Sequence, residues 1–329
     1  MATIWDGNDP AAVERGAERI AAGELVAFPT ETVYGLGARA DDDAAVAKIY
    51  AAKERPAGHP LIVHVADAAA ARCFAAELPP VAERLMAAFW PGPLTVIVPR
   101  AAGIAAAAAG GQNSIGLRSP SHPVARALLA AAARHGVPGI AAPSANRYGR
   151  VSPTRAAHVA EEFDAVPVLD GGACEVGIES AIVDTTRGHP VLLRPGSIEP
   201  ARLEAAAGER LRARDAAAPR ASGTLLAHYA PRATVRLMAP DLLRRALEVL
   251  GPAGPKGTTL AVYSRTATAP PCIRWRRMPA TAAGAARDLF AALREFDAEG
   301  VGLIWVETPP ASPEWDGVRD RLQRAAAAS

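Results

Sequence analysis

Three shortages limit what this 329-residue chain can be. Its three cysteines, Cys73, Cys174 and Cys272, form no Cys-x-x-Cys pair, so neither a zinc ribbon nor a disulfide framework is expected and a reducing cytoplasm fits best. Neither sign of charge predominates, because 36 basic and 34 acidic residues leave a net charge of +2. That balance gives no electrostatic footprint for wrapping nucleic acid.

Long apolar runs are also missing. The alanine run at 101–109 is too short and too weakly apolar to span a bilayer, and its flanking Arg100 and Gly110-Gly111 predict a mobile surface segment or a short helix. Asp6 and Asp9 precede any basic residue, so the first residues do not resemble a signal peptide. We therefore expect no membrane partner and a cytoplasmic location.

Aromatic residues make up 5% of the chain, whereas alanine supplies much of the 50% that is hydrophobic. This composition predicts that helices dominate and that aromatic anchors are few. The chain is too long for one typical core, so two domains are expected.

Helix and strand signals alternate over the first 200 residues, which favours an α/β layered fold. Asp9 followed by Pro10 predicts the start of a helix that runs to Ile20. Further helices are predicted at 43–54, within 68–90, at 123–135 and from Ser152-Pro153 onward, and strands at 25–28, 61–65, 94–98, 114–117, 139–142, 166–169, 181–184 and 191–194. Strands at 234–237, 259–263 and 301–306, with helices at 241–250 and 282–296, predict a second, smaller α/β unit with a parallel sheet.

The stretch 28–37 reads Phe-Pro-Thr-Glu-Thr-Val-Tyr-Gly-Leu-Gly. Pro29 and two glycines predict a strand that stops and turns back, with Thr30, Glu31 and Thr32 facing a cleft. A plain hairpin whose threonines form hydrogen bonds is the alternative.

Lys53 and Arg55 stand two apart before Pro56, which pushes Arg55 toward an extended conformation and predicts that both cations share a face. Such a pair could neutralise a di- or triphosphate and hold it for in-line attack. The alternative is a solvated helix end whose cations complement the helix dipole.

Ser144 and Asn146 follow a predicted strand at the same spacing, and a strand end that carries small polar groups is a favoured ligand position in α/β sheets. A simple Asx or Ser turn would explain them equally. Arg118 also follows a strand and could clamp a carboxylate, although a surface ion pair is the commoner fate of one arginine.

Several catalytic patterns are missing. The chain has no Gly-x4-Gly-Lys-Ser/Thr loop and no Gly-x-Ser-x-Gly elbow, and residues 35–40 resemble a dinucleotide fingerprint only until the acidic residues 41–43. His59 and His64 fall on opposite faces of a strand, so no protein-built metal site is predicted.

Nine motifs together identify a resemblance. The chain resembles the YrdC-type threonylcarbamoyl-AMP synthases, in the long form that carries an additional C-terminal domain. The matching segments cover about residues 10–231 in the family's order: 28–37, Lys53-Glu-Arg-Pro56, Pro60-Leu-Ile-Val-His64, Trp90-Pro-Gly-Pro-Leu-Thr95, Gly116-Leu-Arg118, Ala142-Pro-Ser-Ala-Asn146, Gly177-Ile-Glu-Ser180, Leu193-Arg-Pro-Gly196 and His228-Tyr-Ala-Pro231.

The resemblance implies a YrdC-like twisted mixed sheet with a large cleft at 1–204, a connector or lid at 205–231, and a smaller Rossmann-like α/β domain at 232–329. It implies a nucleotidyltransferase that condenses L-threonine, bicarbonate or CO2, and ATP into threonylcarbamoyl-adenylate and releases pyrophosphate. The product would pass to a separate tRNA threonylcarbamoyl transferase, so tRNA would be an indirect partner. Magnesium would arrive with ATP.

The resemblance also implies roles for individual residues. Those expected around threonine are Thr32, His64, Arg118, Ala142 and Ser180, with Arg118 taking the carboxylate. Those expected around ATP are Lys53, Arg55, His59, Ser114, Ser144, Asn146, Ser152, Arg194 and Tyr229, of which Lys53, Arg55, Ser144 and Asn146 would carry catalysis. Tyr229 would act as part of a lid that excludes water from the adenylate.

Two positions depart from the family pattern. His59 stands where many relatives have Asn, and Ala221-Ser-Gly-Thr224 replaces a commoner Ser-Pro-Gly-Met. Two other functions would suit the same fold. An RNA-binding module is disfavoured by the near-neutral charge, and a carbamoyl-transfer domain of the hydrogenase-maturation type is disfavoured because its zinc-finger segments are missing.

Overall fold

The computed structural model describes residues 2–251 and 259–328. The chain divides into two compact units. The first comprises residues 1–148 and 152–224, and the second comprises 149–151 and 225–329.

Four helices of the first unit begin at a side chain that caps the helix. The Asp9 carboxylate accepts a hydrogen bond from Ala11 N at the start of α1, and Asp42 caps α2 in the same way. The helices are α1 (Pro10–Ala21), α2 (Asp43–Lys53), α3 (Ala68–Ala71), α4 (Pro80–Phe89), α5 (Pro123–Arg134), α6 (Ala156–Ala160) and α7 (Pro200–Ala207).

The strands of the first unit form one mixed sheet in the order β1-β8-β2-β3-β7-β4-β6-β5-β9-β10-β11. Their bounds are β1 (Ile4–Asp6), β2 (Val26–Phe28), β3 (Gly35–Arg39), β4 (Ile62–His64), β5 (Leu94–Pro99), β6 (Ser114–Arg118), β7 (Ile140–Ala141), β8 (Val168–Asp170), β9 (Ala181–Asp184), β10 (Val191–Arg194) and β11 (Arg212–Ala213). The expected mixed α/β sheet is confirmed.

The predicted turn after Pro29 is also confirmed. β2 ends at Phe28, and β3 returns antiparallel to it, with Val26 opposite Gly37. A Cβ on Gly37 would lie 2.8 Å from the Phe28 ring, so only glycine permits this close approach. Gly35 and Gly37, which resemble part of a dinucleotide fingerprint in sequence, are therefore residues of β3.

Helices α1 and α5 pack together on the sheet and bury a core that includes Ile20, Phe28, Leu128 and Ile140. A larger core, which includes Tyr34, Ile49, Phe74 and Leu85, lies among α2, α4 and the central strands. The strand ends that carry polar residues are thus held between two packed layers.

The second unit has a parallel four-stranded sheet in the order β12-β15-β13-β14, which confirms the predicted parallel α/β unit. Leu243, Leu247 and Val262 lie in its core. Its elements are β12 (Thr234–Met238), α8 (Pro240–Leu250), β13 (Leu260–Ser264), β14 (Arg274–Arg277), α9 (Ala282–Ala298), β15 (Leu303–Glu307), a 3₁₀ turn (Pro313–Trp315) and α10 (Asp316–Ala327).

The helix predicted from Ser152 begins later, at Ala156, so that boundary was wrong. The Ser152 hydroxyl donates to Glu179 instead of capping a helix, and the Pro153 carbonyl accepts from Tyr34 N. These long-range contacts occupy the groups that would have started a helix there.

The alanine run at 101–109 is not a short helix, and only residues 102 and 103 of it are exposed. It forms turns in which Ala105, Ala108 and Ala109 are buried. The carbonyl of Ala107 accepts from the Tyr50 hydroxyl, and that of Ala108 accepts from Leu61 N. Backbone hydrogen bonds to distant residues therefore override the local signal. Within the described ranges 2–251 and 259–328 no helix is both long and apolar enough to cross a bilayer.

Candidate active site

The loop after β2 places Thr32 and Glu31 against Arg118, the last residue of β6. Arg118 Nη1 donates to Thr32 Oγ1 at 2.8 Å, and Arg118 Nη2 lies 2.7 Å from Glu31 Oε1. The side chains of Glu31 and Arg118 are only 5% and 4% exposed. The arginine is therefore a buried cation with a buried counterion, not a surface ion pair.

His64 is the last residue of β4 and stands directly opposite Arg118 in the parallel β4–β6 register. Burial and, secondarily, the charge of Arg118 lower the pKa of His64 to about 3. Its imidazole is therefore neutral near pH 7. Ala142 donates its backbone N–H to the carbonyl of Ile62 in β4. Three residues of the predicted threonine set, His64, Arg118 and Ala142, therefore lie in β4 or pair with it.

Lys53 ends α2 and reaches the loop that follows β7. Its Nζ donates to the backbone carbonyl of Ser144 at 2.7 Å and also to that of Asn146. Burial, with a contribution from Arg55, lowers the pKa of Lys53 well below its usual value. Lys53 is thus joined to both Ser144 and Asn146, the two residues predicted to act with it.

Arg55 lies beyond a left-handed turn at Glu54, whose φ is 55°. The helical end at Lys53 and this turn orient the two cations, so the extended segment predicted for them is not what aligns them. Arg55 Nη2 donates to the Pro60 carbonyl at 2.9 Å, and its guanidinium stacks over the Tyr148 ring at 5.6 Å.

His59 also contacts Tyr148, because its Nδ1 lies 2.8 Å from the Tyr148 hydroxyl. Burial, with the charges of Arg55 and Arg220, lowers the pKa of His59. Ser152, in contrast, is fully buried and donates to Glu179 Oε1 at 2.5 Å.

Ser180, which precedes β9, contacts Arg194, the last residue of β10. Arg194 donates from Nε to the Ser180 carbonyl at 3.0 Å and from Nη2 to the Ser180 hydroxyl at 3.3 Å. The Ser180 hydroxyl also lies 2.8 Å from Thr95 Oγ1. A residue predicted for threonine and a residue predicted for ATP are therefore in direct contact.

Residues 218–222 lie over the apolar face formed by Ile62, Ile97 and Ile182. Ser222 contacts two arginines that are predicted to bind ATP. Arg194 Nη1 donates to its carbonyl at 2.9 Å, and Arg55 Nη2 lies 3.5 Å from its hydroxyl. Ser114 lines a small cavity beneath this segment.

All the predicted site residues except Tyr229 belong to the first unit, and Tyr229 belongs to the second. There its ring lies 5.5 Å from that of Phe290, and the Arg321 guanidinium stacks over it at 5.4 Å. Its contact with a nucleotide stays a prediction.

Sequence reasoning gave no role to Glu31, Thr95, Tyr148 or Ser222. Glu31 and Thr95 lie inside motifs that the resemblance already used, so their positions were marked although their partners were not. Ser222 is 167 residues from Arg55 in sequence, and no local signal connects them.

Among the described residues, one group of side chains is close enough together to hold a metal ion. It consists of Glu14, Glu18 and His135, which are exposed or half-buried. Arg134 and His135 both contact the Glu14 carboxylate, so that carboxylate is already neutralised.

Comparison with known proteins covers the whole chain. Residues 18–196 match a family model described as "Telomere recombination", and residues 198–327 match one described as "Threonylcarbamoyl-AMP synthase, C-terminal domain". A threonylcarbamoyl-AMP synthase of Pyrococcus abyssi is 38% identical over 328 residues, with 95% of each chain covered. One of Bacillus subtilis is 36% identical over 333 residues, covering 97% of this chain and 94% of the relative.

Solved structures agree with these matches. The crystal structure of P. abyssi Sua5 complexed with L-threonine superposes with a TM-score of 0.89 at 35% identity, covering all of this chain and 97% of the other. Escherichia coli YciO matches 62% of this chain with a TM-score of 0.53 at 21% identity, which supports the fold alone.

Proposed function

This chain belongs to the threonylcarbamoyl-AMP synthase family, and from that premise we propose which of its side chains hold the substrates. It is a nucleotidyltransferase that makes threonylcarbamoyl-AMP for the tRNA modification threonylcarbamoyladenosine. We propose L-threonine, ATP and bicarbonate or CO2 as its substrates, pyrophosphate as its second product, and a separate transferase as the recipient of the adenylate.

The contact between Ser180 and Arg194 carries the proposal. A carbamate formed on the threonine nitrogen must attack the α-phosphate of ATP, so the two substrates have to lie side by side. The proposed threonine pocket contains Thr32, His64, Arg118, Ala142 and Ser180. The proposed ATP pocket begins at Arg194, which donates two hydrogen bonds to Ser180.

On the ATP side, the guanidinium groups of Arg55 and Arg194 suit phosphate oxygens, because each offers several fixed donors. Both now contact Ser222, so phosphate would replace a weak neutral partner with a charged one. Lys53 would act from behind, holding the Ser144–Asn146 loop through hydrogen bonds to two of its carbonyls. His59, Ser114 and Ser152 line the remainder, and Tyr229 is proposed as the lid residue.

On the threonine side, neutral His64 suits an apolar or hydroxyl contact, whereas the charge of Arg118 suits the carboxylate. No side chain needs to act as a nucleophile, because the carbamate attacks directly. Positioning and charge neutralisation by these residues supply the rate enhancement.

Magnesium fits this arrangement as a companion of ATP. The proposed ATP residues offer cations, hydroxyls and amides, and the carboxylate beside them, Glu179, accepts a hydrogen bond from Ser152. Mg²⁺ commonly takes most of its ligands from water and substrate phosphates, and when bound it would neutralise phosphate charge. We also propose a cytoplasmic location, where a reducing environment would keep Cys73, Cys174 and Cys272 as thiols.

The test is pyrophosphate release by the purified chain. We expect release from ATP and Mg²⁺ only when L-threonine and bicarbonate are both present. L-Serine replaces threonine in one control, and the amino acid is omitted in another. Equal release in either control would overturn the threonine assignment.

A further inference from the structure

Glu31 and Arg118 together offer one unsatisfied donor and one unsatisfied acceptor. Arg118 Nε donates to the Gly92 carbonyl and Nη1 donates to Thr32, while Glu31 Oε2 accepts from Ser121 N at 3.1 Å. The remaining atoms, Arg118 Nη2 and Glu31 Oε1, face each other at 2.7 Å. Within the described residues neither of these two atoms has an aligned hydrogen-bond partner.

Their burial makes this arrangement costly. A buried polar atom without a hydrogen bond is destabilising, and more so when its group is charged, so each such atom calls for an explanation. Here an N–H donor of the Arg118 cation and an oxygen acceptor of the Glu31 carboxylate lie side by side. An α-amino acid zwitterion presents the complementary pair, a carboxylate and an ammonium on one carbon.

We propose that Glu31 is a specificity-determining residue that receives the α-ammonium of the amino-acid substrate while Arg118 receives its carboxylate. The inference rests on the proposed function, since it takes Arg118 as the carboxylate site, and it adds a residue to which no role has been given. Each new contact satisfies one of the two open atoms. The amino acid is then bound as a zwitterion, with both of its charges matched.

The same pair explains how the fold tolerates a buried arginine. A lone buried guanidinium is strongly disfavoured, and removal of one partner of a buried ion pair is strongly destabilising. Glu31 supplies the counterion before substrate arrives. Because Glu31 already lies beside Arg118, the two charges of the substrate would meet opposite charges on neighbouring side chains.

The test compares two ligands on two proteins by calorimetry. The ligands are L-threonine and the matching 2,3-dihydroxybutanoate, in which a hydroxyl replaces the ammonium. The wild-type chain should bind threonine about 10- to 100-fold more tightly, the range expected for one hydrogen bond to a charged group. In Glu31→Gln, which keeps the shape and removes the charge, that ratio should fall below about threefold.

Glu307→Gln is the matched control, because Glu307 is also a buried carboxylate that accepts several hydrogen bonds, and it belongs to the second unit. It should keep the wild-type ratio. An unchanged ratio in Glu31→Gln, or equal weakening of both ligands, would overturn the ammonium contact.

Two measurements need no variant. If Glu31→Gln does not fold, the wild-type ratio still decides, since equal binding of the two ligands by the wild-type chain excludes the proposal. Absence of any threonine binding by the wild-type chain is a different result, and it would overturn the proposed function itself.

Discussion

Gln112 and Arg220 hold each other through two reciprocal hydrogen bonds. Arg220 N donates to Gln112 Oε1 at 2.8 Å, and Gln112 Nε2 donates to the Arg220 carbonyl at 3.1 Å. The Arg220 side chain adds a third contact, to the Gly110 carbonyl. These hydrogen bonds hold the segment that carries Ser222 against the rest of the first unit, where Ser222 contacts Arg55 and Arg194.

The first prediction concerns this fastening. Gln112→Ala should leave the fold intact but loosen residues 211–224, because it removes both hydrogen bonds to the Arg220 backbone. We expect faster limited proteolysis within that segment and a KM for ATP changed by at least about threefold, as the two bonds are worth about 1 kcal/mol each.

Gln323→Ala is the control, since Gln323 is an exposed glutamine on α10. Both the cleavage rate and the KM should stay at wild-type values in that variant. Wild-type proteolysis of Gln112→Ala would show that the pair does not hold the segment.

The second prediction tests the shape of Arg194. Three of its N–H groups contact Ser180 and Ser222 in different directions, and a lysine cannot reproduce that fork. Arg194→Lys keeps the charge, yet it should raise the KM for ATP at least tenfold and lower the free energy of unfolding by about 2 kcal/mol. Steady-state kinetics and urea denaturation measure the two effects.

Arg212→Lys provides the comparison, because Arg212 is exposed at the edge strand β11. It should change neither quantity beyond error. An Arg194→Lys enzyme with the wild-type KM would remove Arg194 from the ATP site.

The third prediction uses two lysines of one helix. Lys53 and Lys48 both lie on α2 and both donate to backbone carbonyls, Lys53 to Ser144 and Asn146 and Lys48 to Gly23. Lys53→Met should reduce turnover at least about 100-fold while the circular dichroism spectrum stays unchanged. Lys48→Met should lose at most about 1 kcal/mol of stability and keep its kcat/KM. Equal turnover in the two variants would contradict a special role for Lys53.

Parts of this molecule could be predicted from sequence for clear physical reasons. The Asp9 carboxylate caps α1 with Pro10 at its first position, and β3 returns antiparallel to β2 after Pro29, with Gly35 and Gly37 in β3. Each of these signals acts over a few residues, so the neighbouring chain cannot easily override it. The order of nine motifs likewise indicated the family.

The rest depends on contacts between distant residues. β3 is rich in glycine, which weakens strand propensity, and it forms because β2 and β7 pair with it on both sides. Ser152 resembles a helix cap, but Glu179 takes its hydroxyl. The partners of Glu31 and Ser222 lie 87 and 167 residues away, so their place in the candidate site was not readable from local pattern.

The last prediction concerns acid stability and His64. Its pKa is about 3 in the folded chain and about 6.5 in an unfolded one. Below pH 6.5 the unfolded state therefore binds a proton that the folded state does not, and stability falls as the pH decreases toward 3. Between pH 6.5 and 5 the loss should be about 2 kcal/mol in urea denaturation, and His64→Gln should not show this component. Because the neutral imidazole follows from burial beside Arg118, an NMR titration that finds His64 charged at pH 6 would contradict that burial and the proposed threonine site that depends on it.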